Sequence, residues 1–252
     1  MNASPLVNAL TWSWFALALI TFIALQFVIA PYGRHVRRGW GPTIPNRLGW
    51  MVMEMPMPVV FGACFILGQR AGAAAWLLLL LWEAHYVHRA FVYPFTLRGV
   101  GKRMPVVIAA MAFFSNIGCA YINGWYLYGP TGGYLSEWFR TWQFRLGVIL
   151  FVAGFVVNRQ ADSILRRLRQ PGEQGYRIPE GGLYRWISCP NYLGEIVEWI
   201  GWAVATWSPP GLAFAAWTIA NLVPRARAHH EWYRRQFPDY PPERKALLPG
   251  LW

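Results

Sequence analysis

The segment NYLGEIVEWIGWAVATW, residues 191–207, decides the fold class. It is almost as long as the roughly 20 apolar residues that a helix needs to cross a bilayer. It nevertheless carries two carboxylates, Glu195 and Glu198. One ionised group at the bilayer centre costs roughly 2.5–3.5 kcal/mol on insertion scales. The segment therefore indicates a membrane helix with one polar face turned towards a ligand or towards polar partners.

The rest of the chain has the composition of a membrane protein. Of its 252 residues, 56% are hydrophobic and only 13% are charged, whereas soluble domains carry about 25% charged residues. No basic residue precedes the first apolar stretch, which favours a retained span over a cleaved signal peptide. The sequence predicts an all-α bundle of seven transmembrane helices that forms a single domain over residues 1–252. The predicted spans are residues 7–30, 48–67, 71–93, 104–127, 144–165, 192–208 and 211–223.

The basic residues follow the predicted spans. Of the 23 lysines and arginines, 18 lie in the connections after spans one, three and five and after span seven. Such an asymmetry is the positive-inside pattern, which predicts an external N-terminus and a cytoplasmic C-terminus. Topology thus accounts for most of the net charge of +12, and nucleic-acid binding is not expected. The three cysteines are widely separated and indicate neither a disulfide framework nor a cysteine metal site.

Ionisable residues inside spans are functional candidates by default. Glu54 lies in span two, and Glu83, His85, His88 and Arg89 lie in span three. Mutual pairing is the alternative interpretation, for example Glu83 with His88, one helical turn away.

Helical spacing groups the polar residues of the last three spans into three faces, each at or near a cytoplasmic helix end. These faces predict a polar cavity that opens to the cytoplasm and suits a large ligand with phosphate groups. Asp162 could instead pair locally with Arg166. The faces are Asn158, Asp162, Arg166 and Arg169; Asn191, Glu195 and Glu198; and Arg225, His229 and Tyr233.

Two other ligand classes are disfavoured. The sequence has no glycine-rich phosphate loop of the Rossmann or Walker type, so a nucleotide would bind in another way. Five histidines are too few for a histidine-rich membrane oxygenase, and no metal is expected.

Several long segments resemble the steroid 5α-reductase family. The densest are LRRLRQPGEQGYRIPEGGLYRWISCPNYLGEIVEWIGWAVATWS at 165–208 and RARAHHEWYRRQFPDYPPERKALLP at 225–249. HYVHRAFVYP at 85–94 and MEMP at 53–56 are similar to the same family. Pro224 and Arg227 depart from the animal members, and the first span and residues 128–142 carry little resemblance.

The resemblance implies a seven-helix membrane enzyme that uses NADPH to reduce the Δ4 double bond of a 3-oxo steroid. It implies that Glu54 and Tyr86 hydrogen-bond the 3-oxo oxygen. Arg89, Tyr93, Arg103 and Glu198 match the site residues of the family more weakly. Within the implied cofactor set, Arg169, Arg177 and Arg225 are the candidates for the phosphates. That set is Asn158, Asp162, Arg169, Tyr176, Arg177, Asn191, Glu195, Arg225, His229 and Tyr233.

The implied roles are chemically reasonable. Hydride addition to the enone builds negative charge on the carbonyl oxygen, which hydrogen-bond donors stabilise. Tyr86 can donate, and Glu54 can donate only as the neutral acid, a form that apolar surroundings favour. Asn191 and Glu195 share a face that can receive the nicotinamide carboxamide, whereas Glu198, one turn deeper, is expected to accept from a neighbouring helix.

Two other functions remain open at this point. An isoprenylcysteine-type membrane methyltransferase also carries an Arg- and Tyr-rich C-terminal segment, but it has no need of Glu54 and HYVHR. A proton-coupled transporter could use intramembrane carboxylates as a relay, but it predicts inverted repeats that the sequence lacks. The expected partners are a lipophilic enone and membrane lipid. We expect a monomer in a bacterial inner membrane or the endoplasmic reticulum.

Overall fold

The structure, a computed structural model, describes residues 4–69, 72–97, 101–130, 132, 136–168 and 175–252. Arg169 of the predicted cofactor set lies outside the described residues. The chain is mostly helical, as predicted. The helices are α1 Pro5–Phe27, α2 Asn46–Glu54, α3 Pro56–Leu67, α4 Gly72–Val87, α5 Tyr93–Thr96, α6 Val106–Tyr128, α7 Trp142–Arg167, α8 Pro190–Thr206 and α9 Pro209–Gln236. Short 3-10 turns lie at Gly33–His35, Ser136–Arg140 and Gly182–Arg185, and a π-helical segment at His88–Val92 joins α4 to α5.

Four helical stretches in the described part of the chain are long and apolar enough to cross a membrane. They correspond to predicted spans one, two, four and five, with α2 and α3 forming one stretch over Asn46–Leu67. The other three predicted spans contain regular helices that are shorter or less apolar. Helix α4 has 16 residues, α8 has 17 and carries two glutamates, and the second half of α9 is basic.

A two-stranded antiparallel ribbon was not predicted. Strand β1, Thr43–Pro45, pairs with β2, Arg103–Pro105, with Ile44 opposite Met104. Each strand ends in a proline, and the next residue begins helix α2 or α6. Proline suits this position because it has no N–H to donate and its ring fixes φ. The ribbon therefore ties together the connections that lead into these two helices.

The core between the helices is built from tryptophan and other aromatic side chains. Phe61 of α3 stacks on Trp82 of α4 with ring centroids 4.3 Å apart. The Trp82 indole N–H donates to the Met57 carbonyl at 3.1 Å, and the Trp202 indole N–H donates to Asn123 Oδ1 at 3.0 Å. Each buried indole N–H thus donates a hydrogen bond to a different helix, and these bonds fix how α3, α4, α6 and α8 pack.

Helices α7 and α8 pack backbone to backbone along a line of glycines at a spacing of seven residues. A Cβ atom added to Gly154 of α7 would meet the backbone of Glu198, and one added to Gly194 of α8 would lie 2.5 Å from the Asn158 nitrogen. Gly147 and Gly201 make the same kind of contact further along. Small residues permit such close helix approach in membrane proteins. The polar faces predicted on α7 and α8 are thereby brought into direct contact.

Candidate active site

A cavity of about 1200 Å³ opens among the α1–β1 connection, α2, the end of α7, the start of α8 and α9. It exceeds the roughly 300–1,000 Å³ of pockets that hold one drug-sized ligand, so it has room for an extended molecule. Its wall brings together seven of the ten residues of the predicted cofactor set. These are Asp162, Tyr176, Arg177, Asn191, Arg225, His229 and Tyr233.

Asn158 and Glu195, two further members of the set, lie directly behind this wall. The Asn158 Nδ2 donates to the Asn191 carbonyl at 3.0 Å and to Glu195 Oε2 at 3.3 Å. The Asn191 Nδ2 in turn donates to Asp162 Oδ1 at 3.3 Å. The two polar faces that helical spacing predicted on α7 and α8 thus form one network of amides and carboxylates.

The Arg89 guanidinium lines the cavity and joins this network to Glu54. Its Nε lies 3.8 Å from Glu54 Oε1, its Nη1 3.8 Å from Asp162 Oδ2 and its Nη2 3.8 Å from Glu195 Oε2. The rings of Trp50 and Tyr93 each lie 4.7 Å from the guanidinium carbon, within cation–π range. Glu54 is 12% exposed and stands one side chain back from the cavity, behind Arg89.

Tyr86 also lies behind the cavity wall, in the aromatic core. Its ring stacks on Trp199 with centroids 5.4 Å apart, and 4% of the residue is exposed. Neither Tyr86 nor Glu54, the predicted substrate-binding pair, is among the described residues that line the cavity.

The ionisable residues of the predicted spans contact residues of other helices rather than neighbours one turn away on their own helix. His85 Nδ1 lies 2.7 Å from Glu198 Oε1, so Glu198 bonds to a neighbouring helix, as predicted. His88 Nδ1 contacts Arg159 Nη1 at 3.0 Å, whereas the alternative interpretation by local pairing would have joined it to Glu83. In the part of the chain that the structure describes, the buried Oε1 of Glu83 has no hydrogen-bond partner. Asp162 likewise faces Arg89, whereas the alternative of local pairing would have joined it to Arg166.

The α1–β1 connection contributes residues that the sequence analysis assigned only to topology. Arg34 Nη2 donates to the Tyr233 hydroxyl at 3.2 Å, and its guanidinium lies over the rings of Trp232 at 4.7 Å and Tyr233 at 4.6 Å. Arg225 Nη2 donates to the Tyr32 carbonyl at 3.2 Å. No local pattern predicts these contacts, because the partners are 199 and 193 positions apart in the chain.

Several buried polar atoms on the cavity wall lack a hydrogen-bond partner within the described ranges. They are Nη1 of Arg34, Nη1 of Arg225, Nε2 of His229, Oδ2 of Asp162 and the Tyr184 hydroxyl. Leaving such a group unsatisfied costs about 1–3 kcal/mol. Guanidinium N–H groups bind phosphate strongly. The wall can therefore bind a polar ligand. Its basic end, formed by Arg34 and Arg225, can bind a phosphate.

The electrostatic environment at this end favours an anion. Burial, with the Arg225 and Arg34 charges, lowers the pKa of His35 to about 4, so this imidazole is neutral at pH 7. It stacks on His229 with ring centroids 5.1 Å apart. A neutral histidine pair beside two arginines leaves the positive charge at this end on the guanidinium groups. Across the described residues, no three His, Cys, Asp or Glu side chains converge as a metal site would require.

The chain is similar to proteins that act on steroids. A family model described as 3-oxo-5-alpha-steroid 4-dehydrogenase matches residues 102–252. A steroid 5-alpha-reductase DET2 from Gossypium hirsutum is 42% identical over 94% of this chain and 94% of its own length. The 3-oxo-5-alpha-steroid 4-dehydrogenase 1 proteins of Bos taurus and Homo sapiens are 39% and 37% identical. Each alignment covers 98% of this chain, with 97% of the Bos taurus protein and 95% of the Homo sapiens protein.

Proposed function

Since this chain belongs to the 3-oxo-5-alpha-steroid 4-dehydrogenase family, we propose that it reduces the Δ4 double bond of 3-oxo steroids with NADPH. The product is the 5α-dihydro steroid. The observation that carries the choice of cofactor is the cavity of about 1200 Å³, whose wall includes buried guanidinium and carboxylate atoms without a hydrogen-bond partner in the described part of the chain. When bound, NADPH supplies the hydride.

The cavity wall offers partners for both parts of a dinucleotide. Arg34 and Arg225 each carry a buried Nη1 without a hydrogen-bond partner among the described residues, and we propose that they hold the phosphates. Asn191, with Glu195 behind it, offers an amide and a carboxylate that match the donors and acceptor of a carboxamide. Tyr176, Arg177, His229 and Tyr233 complete the wall in the proposal. Arg169 keeps its place in the proposed set from the family resemblance alone.

Glu54 and Tyr86 are proposed to hold the steroid 3-oxo oxygen. Negative charge develops on this oxygen as the double bond is reduced, and donors aimed at it stabilise the transition state. Glu54 must be neutral when it holds the steroid, and the charge balance favours its protonation at that step, because Arg89 supplies only one positive charge to three carboxylates at 3.8 Å. A neutral Glu54 can donate its proton in a hydrogen bond, as Tyr86 does with its hydroxyl.

The membrane arrangement is also part of the proposal. We infer seven spans, with the N-terminus outside and the C-terminus in the cytoplasm of a bacterium or on the cytosolic face of the endoplasmic reticulum. Support comes from the basic residues that line the cavity from several connections, among them Arg47, Lys102, Arg103 and Arg177. Basic connections face the cytoplasm, so the cavity would take its cofactor from that side. The steroid would enter the cavity from the lipid. We infer that the enzyme is a monomer.

The direct test uses protein purified in detergent with NADPH and testosterone. We expect a 5α-dihydro steroid product and equimolar oxidation of NADPH. Binding of S-adenosylmethionine without binding of NADPH would favour the methyltransferase. Steroid flux into vesicles that requires no nucleotide would favour the transporter. Either result, with no reduced product, would overturn the proposal.

The basic end of the cavity yields a separate prediction. Arg34→Met and Arg225→Met are each expected to raise KM for NADPH roughly 10- to 100-fold, the value of a hydrogen bond to a charged group, while kcat changes little. Steady-state kinetics with varied NADPH and NADH measures this, and the arginine that reads the 2′-phosphate is the one whose loss leaves KM for NADH unchanged. Arg140→Met is the control, because Arg140 is 66% exposed and pairs only with Glu137 among described carboxylates. Unchanged KM in both variants would place the phosphates elsewhere.

A further inference from the structure

Arg89 stands where the proposed substrate site meets the proposed cofactor site. Each of its three guanidinium nitrogens faces a different carboxylate, and all three separations are 3.8 Å. Hydrogen bonds from N–H to oxygen are about 2.7–3.2 Å long, so Arg89 is committed to none of the three. Its position is fixed by the rings of Trp50 and Tyr93.

The backbone at Arg89 is unusual. The regular helix α4 ends at Val87, and His88–Val92 continue as a π-helical segment before α5. Such a segment inserts one residue into the helical ladder, is rare and is frequent at functional sites. Here it brings Arg89 between α2, which carries Glu54, and the α7–α8 network.

The three carboxylates compete for one positive charge. Asp162 and Glu195 belong to the network that also includes the two asparagines of the cofactor wall. Glu54 belongs to the steroid site. If the steroid carbonyl accepts a hydrogen bond from Glu54, this acid must be neutral, and it no longer attracts Arg89. The guanidinium is then left to Asp162 and Glu195 and holds the cofactor side in place.

We propose that Arg89 is a positioning residue that couples the two sites, so that steroid on Glu54 and cofactor on the Asp162–Glu195 side strengthen each other's binding. This inference rests on the proposed function. Lysine is not expected to replace arginine in this role, because the carboxylates face three separate nitrogens of a planar guanidinium, whereas an ammonium group is one compact point charge. Coupling between two sites is reciprocal, and typical factors are about 5- to 150-fold.

The test measures the Kd of NADP⁺ by isothermal titration, with and without saturating testosterone, in detergent. NADP⁺ cannot reduce the steroid, so binding is read without turnover. In the wild-type protein, testosterone is expected to lower the Kd of NADP⁺ at least about fivefold. In Arg89→Lys, this factor is expected to fall below about twofold, while NADP⁺ still binds. Arg159→Lys is the matched control, since Arg159 is also partly buried but contacts His88.

A second variant tests the same coupling without touching Arg89. Glu54→Gln removes the competing charge permanently, so NADP⁺ alone is expected to bind more tightly than in the wild type, and testosterone to add little. A merely structural role for Arg89 does not predict tighter cofactor binding in this variant. Wild-type coupling in Arg89→Lys, or NADP⁺ affinity that Glu54→Gln leaves unchanged, overturns the proposal for Arg89 alone. A wild-type protein that fails to bind NADP⁺ overturns the proposed function itself.

Discussion

Replacing Glu54 with leucine is expected to lower kcat for testosterone reduction by about 10²- to 10³-fold, the usual effect of removing one donor from a developing oxyanion. The KM for NADPH should not rise, because Glu54 belongs to the proposed steroid site and faces Arg89 at 3.8 Å. Glutamine at this position keeps an N–H donor of similar size, so Glu54→Gln should retain more turnover than Glu54→Leu. Single-turnover reduction with saturating NADPH measures the chemical step.

Two further variants test whether the effect of Glu54→Leu comes from the loss of a hydrogen-bond donor to the steroid. Tyr86→Phe removes the other proposed donor and keeps the ring that stacks on Trp199, so it should lower kcat without unfolding the protein. Glu83→Gln is the matched control, because Glu83 is another carboxylate of the same region whose Oε1 lies towards Gly62 of α3, at 3.5 Å from an added Cβ. Full turnover in Glu54→Leu would remove Glu54 from the mechanism, whatever the effect of Tyr86→Phe.

The sequence predicted the parts of the site that helical periodicity controls. Asn158 and Asp162 lie one turn apart on α7, as do Asn191 and Glu195 on α8, and the observed hydrogen bonds join these two faces. The spacing could not show that α7 and α8 touch through their backbones. That depends on glycines whose effect appears only when the partner helix is present.

The residues that sequence reasoning missed are those positioned by contacts distant in the chain. Arg34 was assigned to the positive-inside pattern, and it reaches Tyr233 of α9 only because the α1–β1 connection folds over the cavity. The antiparallel ribbon has strands of three residues, too short for an alternating pattern to predict them. Glu198 was correctly expected to bond to another helix, but its partner, His85, could not be identified from spacing.

The second large effect is expected at the glycine contact between α7 and α8. In Gly154→Ala, the added methyl group would meet the backbone of Glu198 and of Gly194, which cannot move aside as a side chain can. Overpacking of this kind costs typically about 1–3 kcal/mol. The helices must separate to accept it, and Asn158, one turn along α7, moves away from the Asn191 carbonyl. We therefore expect at least about a tenfold weaker affinity for NADPH, equivalent to the loss of one hydrogen bond.

Thermal unfolding and NADPH titration of the same preparation distinguish a general loss of stability from a displaced site. Gly62→Ala is the control, because a Cβ at this helical position would make only an ordinary contact of 3.5 Å with Glu83 Oε1. It should keep the wild-type unfolding temperature and the wild-type affinity. Gly154→Ala protein that unfolds at a lower temperature but binds NADPH normally would contradict the idea that the α7–α8 distance sets the cofactor site. Weak NADPH binding by Gly154→Ala protein that remains folded would instead show that cofactor affinity depends on the distance between the α7 and α8 backbones. This distance is set by glycines and not by any single polar residue.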